Sequence, residues 1–190
     1  MCEIAALLWE RRLTNAYGGN FAARAGEGSF LVSPSMMAEE KHCKLKPEDL
    51  NLVGFDGSLI EGSGRLSRET DMHAALLKAF PTVGAVIHAH PTNCMVFAAA
   101  ERAIPSVTEA TEKQGAADLA KFAPMCTPEM SNNVLAYYEE RRDLTETMPV
   151  GCVLPKHGVV VTGKNLNNAF TMLELIETDA YCALNLSKIL

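Results

Sequence analysis

Apolar and polar residues along the chain fall into helical and strand-like patterns. Residues 3–14, "EIAALLWERRLT", read as an amphipathic first helix that stops before "AYGGN", where Gly18 and Gly19 break it. "NFAAR" (20–24) and "SFLVSP" (29–34) read as strands joined through the permissive "AGEG". "LNLVGF" (50–55) is a further strand, and Asp56-Gly57 turns the chain into "SLIEG". Ala74, Leu77 and Phe80 give a helical stripe within 68–80, and an apolar strand over 83–90 follows. After Pro91 a short helix runs through "NCMVFAAAER", whereas residues 104–127 carry no clear period. A helix over 129–141 has Pro128 at its first turn. "GCVLP" (151–155) and "GVVVTG" (158–163) are strands flanking Lys156-His157, and residues 166–187 form the last helix. Early hairpin-linked strands with helices spread between them predict an α/β domain with a largely antiparallel or mixed sheet. No repeat, low-complexity tract or linker divides the chain, so one domain is expected over 1–190.

Composition narrows the function classes. A chain of 190 residues supports one sizeable core, and 48% hydrophobic with 21% charged residues is ordinary for a soluble globular protein. The net charge of −6 argues against nucleic acid as a partner. No apolar run approaches the roughly 18 residues of a membrane span, and the N-terminus lacks a basic leader, so a cytoplasmic protein without a membrane partner is expected. The six cysteines, at 2, 43, 94, 126, 152 and 182, form no Cys-x-x-Cys motif. They read mostly as small buried hydrophobes in a reducing compartment.

The chemistry concentrates at strand ends. His88 and His90 are two apart on a strand and so point to one face, where a pair of imidazoles can converge on a metal. His157, just before Gly158, is the candidate third ligand, and three histidines with an open position would make a catalytic site. The alternative is that each imidazole is simply hydrogen-bonded at a core edge. His42 and His73 are weaker candidates; His73 shares a helix face with Glu69 and reads as structural. Glu69 sits near a helix N-terminus, where a carboxylate stabilises the helix. Beside a cation it could instead be a general base or a fourth ligand. "YGGNFAAR", Ser33-Pro34-Ser35 and Ser67 offer donors that suit either a phosphate or ordinary turns.

Taken in order, "GGN", "FLVSPS", "SRETDMH", "AFPTVGAVIHAHP" and "PKHGVVVTG" span residues 18–163, and with them the chain resembles the class II aldolase/adducin family, which includes the L-fuculose-phosphate aldolases. The resemblance implies a three-layer α/β/α fold around a mostly antiparallel sheet, and a homotetramer with active sites at subunit interfaces. By position, His88, His90 and His157 match the metal ligands, for Zn²⁺ or another divalent ion such as Mn²⁺, Fe²⁺ or Co²⁺. Glu69 matches the acid/base residue, which can also approach the metal, and Asn20, Ser35 and Ser67 match positions that bind substrate phosphate.

The chain also departs from the family's pattern. Ala22 stands where a second hydroxyl is common, Met36 where glycine is frequent, and Arg68 replaces the second serine of a Ser-Ser-Glu motif, adding a charge for the anion. Glu109 occupies the region of an interfacial tyrosine proton donor; it is either a substitute carboxylate or a solvated surface residue. The implied function is a metal-dependent lyase that makes or breaks a C–C bond in a small phosphorylated keto sugar through a metal-stabilised enediolate. Dehydration, decarboxylation of a keto-acid phosphate and 4-epimerisation are alternatives on the same scaffold, as is a non-catalytic adducin-like role. A structural zinc would need a fourth protein ligand.

Overall fold

The alternating segment at residues 20–32 forms the middle of a seven-stranded antiparallel sheet in a computed structural model, which describes residues 1–189. Asn20–Arg24 (β1), Ser29–Val32 (β2), Asn51–Gly54 (β3) and Leu59–Glu61 (β4) succeed one another as a meander. On the other side of β1 lies Ala85–Ala89 (β5), then Gly158–Gly163 (β7), with Gly151–Leu154 (β6) at the edge. Every residue of β5, β6 and β7 is buried, which is why these strands read as continuous apolar runs rather than alternating ones.

Helices cover both faces, giving the expected three layers. Cys2–Glu10 (α1), Thr92–Ala99 (α4) and Leu166–Asn185 (α7) pack on one face around Phe21, Ile87, Val159 and Val161. Thr70–Ala79 (α3) and Pro128–Glu139 (α5) pack on the other around Ala22, Val86 and Val160. No helix among the described residues is long and apolar enough to cross a membrane.

Three differences from the sequence pattern have local causes. The first helix ends at Glu10 rather than continuing to 14, because Arg12 turns into the left-handed region (φ 55°) and sends Leu13 back into the core. Two short helices, Met37–Lys41 (α2) and Arg142–Thr147 (α6), are too brief to show a period. The aperiodic 104–127 segment has a single 3₁₀ turn, Glu109–Thr111, and is held by bridges at Ile104–Ala117 and Leu119–Val153.

Candidate metal centre and active site

Strand register assembles the centre. In β1 Asn20 lies directly opposite His88 of β5, so both side chains leave the sheet on the α3 face. His90 follows one alternation later, just beyond the strand end. A tight hairpin between β6 and β7, with Leu154 opposite Gly158, delivers His157 beside them. Its turn needs Lys156 at φ 61°, and the Lys156 N–H donates to the Ala98 carbonyl of α4 at 2.8 Å, which anchors the hairpin. Glu69 is the N-cap residue of α3, yet its carboxylate caps nothing and turns inward to the histidines.

Close approach of backbone holds His90 in place. A Cβ on Gly18 would lie 1.7 Å from His90 Cε1, and one on Gly158 would lie 2.5 Å from His90 Cδ2. No other residue fits at either position without moving the imidazole. The Gly18 loop is itself tied down, because the Thr14 hydroxyl donates to the Gly18 carbonyl at 2.5 Å.

The imidazole tautomers can be read from their partners. His88 Nδ1 donates to the Val159 carbonyl at 3.0 Å, so its Nε2 carries the lone pair. Asn15 Oδ1 accepts from the Tyr17 N–H at 3.0 Å and lies 3.4 Å from His90 Nδ1, which makes that nitrogen the donor and again leaves Nε2 bare. The two bare Nε2 atoms are 3.1 Å apart. Two lone pairs facing one another repel unless a cation lies between them. Nitrogens bound to one tetrahedral zinc at about 2.0–2.1 Å are roughly 3.3 Å apart, so the observed spacing fits a divalent ion. Nitrogens of His88, His90 and His157 all lie within 4.8 Å of one another.

Glu69 completes the donor set. Its Oε2 is 3.4 Å from His88 Nε2 and accepts from Asn20 Nδ2 at 2.7 Å; its Oε1 is 3.5 Å from His157 Nε2 and has no hydrogen-bond partner. Burial works against its charge, but His88, the Asn20 N–H, His157 and His73 together draw the carboxyl down to about 2. Burial, with repulsion from neighbouring imidazoles, lowers His90 to about 3 and His157 to about 4. At neutral pH the centre therefore offers an ionised carboxylate beside neutral His90 and His157, which is the form a divalent cation binds.

The centre opens into a cleft of about 310 Å³. Ser35, Ser67 and Arg68 line it, and so does Arg65, which the sequence reading passed over. The Ser35 N–H donates to the Arg65 carbonyl at 2.8 Å, and Pro34 bridges to Leu66, so the two anion-side loops are stitched together. Ser67 Oγ accepts from the Glu69 N–H at 3.2 Å. Arg65 and Arg68 are exposed, and neither guanidinium has an ion-pair partner among the described residues. Met36 lines the cleft with a left-handed backbone (φ 62°), a conformation in which glycine is favoured over other residues.

Other candidates lie elsewhere. Ala22 is fully buried in the core beneath α3. His42 caps α2 and packs on Trp9. Glu109 is exposed on its 3₁₀ turn and does not reach the cleft of its own chain. Asn20 lines the cleft, but its amide is engaged by Glu69 and His73.

Comparison with known proteins shows the family and the fold. The family model described as the class II aldolase and adducin N-terminal domain matches residues 1–184. A 5-methylthioribulose-1-phosphate/5-deoxyribulose-1-phosphate aldolase of Rhodospirillum rubrum is 29% identical over 87% of this chain and 70% of its own length. An L-ribulose-5-phosphate 4-epimerase of Salmonella paratyphi C is 29% identical over 83% of this chain and 70% of its own. Among solved structures, an L-fuculose 1-phosphate aldolase superposes with a TM-score of 0.85 at 24% identity, covering 99% of this chain and 84% of that one.

Proposed function

The chain belongs to the class II aldolase and adducin family, and from that premise we propose that it is a metal-dependent aldolase acting on a small phosphorylated keto sugar. One observation carries the reading: a buried carboxylate with one unpartnered oxygen stands among three histidines at the floor of an open cleft. His88, His90 and His157 would hold the ion, zinc being the one their nitrogens suit best, with Mn²⁺, Fe²⁺ or Co²⁺ as alternatives. A bound divalent ion supplies Lewis-acid polarisation of the substrate carbonyl.

The chain's own residues do the rest. Cleavage requires a proton to be taken from the hydroxyl of one half and another returned to carbon on the other. In the bond-forming direction ionised Glu69 takes the proton from carbon on Oε1, because Oε2 is held by Asn20, and in cleavage the protonated Oε1 gives the same proton back to carbon. The hydroxyl proton needs a second group, and we assign it to Glu109 of a neighbouring copy in a homotetramer, since Glu109 faces away from its own cleft. Ser35, Ser67, Arg68 and Arg65 would take the substrate anion, the guanidiniums through charge-assisted contacts. We read the whole span 1–190 as one such domain, and the six free cysteines support a cytoplasmic location.

Kinship to an epimerase supports a second reaction, 4-epimerisation of a ketose phosphate at the same centre. A non-catalytic role is disfavoured by the intact histidine–carboxylate set. The test is to incubate zinc-loaded protein with 5-deoxyribulose 1-phosphate, L-fuculose 1-phosphate and L-ribulose 5-phosphate. Metal-dependent aldehyde release is the expected result. An epimeric ketose without aldehyde would replace aldolase by epimerase, and no conversion of any of the three would overturn the reading.

A further inference from the structure

Behind the centre lies a buried polar chain that none of the roles above explains. His73, on α3 one turn beyond Glu69, is completely buried, and its Nε2 lies 2.5 Å from Asn20 Oδ1. Asn20, 7% exposed, in turn places Nδ2 2.7 Å from Glu69 Oε2. Buried polar groups of this kind are stabilising only when donors and acceptors alternate correctly. Here only one assignment does so. Ionised Glu69 accepts and cannot donate, so it takes an N–H of Asn20. Asn20 Oδ1 must then face His73, and His73 Nε2 must carry the hydrogen. The remaining nitrogen, His73 Nδ1, is buried without a partner and is the bare one.

The chain has a consequence for the two oxygens of Glu69. An asparagine side chain alone can turn over and present either end. His73 removes that freedom, because a turned Asn20 would oppose its own N–H to His73 Nε2–H and its carbonyl to a carboxylate. The two Glu69 oxygens therefore differ: Oε2 is tied by Asn20, whereas Oε1 has no hydrogen-bond partner and faces His157 Nε2.

We propose that His73 is a positioning residue: its Nε2–H locks the Asn20 amide so that Oε2 of Glu69 is held and Oε1 alone is left to exchange a proton with substrate. This rests on the reading of Glu69 as the proton-transfer group. His73 touches neither substrate nor metal, and it acts through Asn20.

Two measurements test it. The first needs no substrate: long-range ¹H–¹⁵N spectra of the intact wild-type protein at neutral pH, with and without zinc. They should show His73 with its hydrogen on Nε2; an Nδ1–H tautomer, with Nε2 bare, would overturn the proposal. The second uses whichever phosphorylated ketose the wild type converts. His73→Leu should lower kcat by about 10²-fold through loss of geometry, with KM within about twofold and zinc stoichiometry unchanged. His73→Gln, which can still donate to Asn20 Oδ1, should recover most of the loss. In an Asn20→Ala background, His73→Leu should cost nothing further. Wild-type kcat in His73→Leu, loss of kcat only in step with lost zinc, no recovery with Gln, or additive losses with Asn20→Ala would each contradict it. If His73→Leu does not fold, the tautomer and the Gln variant decide. If no ketose phosphate is converted by the wild type, the proposed function fails while the tautomer test still stands.

Discussion

The two sides of the cleft are built differently. On the metal side, Glu69 is 4% exposed and His88 1%, and His88, His90 and Glu69 each have a fixed protein partner. On the anion side, Arg65 and Arg68 are exposed, with no ion pair among the described residues. The first is rigid because it grows from a sheet buried on both faces; the second hangs on two loops joined by a backbone hydrogen bond. A centre that moves protons requires atoms held to within a fraction of an ångström. An anion subsite tolerates mobile cations, whose attraction falls off slowly with distance. The contrast predicts that changes on the metal side alter turnover, while changes on the anion side alter affinity.

Removing a metal ligand should have the largest effect. His88→Ala or His90→Ala is expected to lose the metal and bring turnover to background, as metal analysis and an aldehyde assay would show. A variant that keeps both would remove these residues from the centre. Next in size, Glu69→Gln should lower kcat by about 10²–10⁴-fold while metal content persists, because the histidines remain. Wild-type turnover in that variant would reduce Glu69 to a helix-terminus residue.

A milder change sharpens the point about rigidity. Gly18→Ala adds one methyl group that would sit 1.7 Å from His90 Cε1 and 2.0 Å from Nδ1, so the imidazole must move. Metal affinity should weaken about 10–100-fold, the range seen when a ligand loses its orientation. Chelator competition would check this, with circular dichroism confirming an intact fold. The smallest effect belongs to the rim. Arg65→Ser and Arg68→Ser should each raise KM for an anionic substrate by up to about tenfold and leave kcat nearly unchanged. Their melting temperatures should stay within about 2 °C of wild type, because exposed side chains without partners add little stability. An equal fall in kcat would place either arginine on the metal side of the contrast.

The metal side was the more legible in sequence for the same reason that it is rigid. Period-two alternation puts His88 and His90 on one face, and the apolar run before them marks a buried strand. Glu69 could be placed at a helix start but not aimed, since its inward turn depends on Asn20 of a strand 49 positions earlier. That same register, Asn20 opposite His88, sets the Asn20 amide against the Glu69 carboxylate, a contact that no local spacing encodes. His73 was correctly read as a helix residue on the Glu69 face, but its contact with Asn20 is a tertiary fact that no local spacing encodes. Arg65 was missed because its place beside Ser35 arises from pairing between two loops. Its only local signal was a basic residue two positions before Ser67. The strands and long helices were legible from period and punctuation, whereas α2 and α6, of five and six residues, are too short to show one.

The Nε2 atoms of His88 and His90 are expected to share one divalent ion with His157, beside Glu69. The most direct measurement is anomalous diffraction at the zinc edge from crystals of zinc-loaded protein. One strong peak is expected, about 2.0–2.1 Å from a nitrogen of each of the three imidazoles, with Glu69 Oε1 nearby and Asn20 still on Oε2. No peak there in protein shown by metal analysis to carry zinc, or three imidazoles splayed beyond coordination distance, would contradict it.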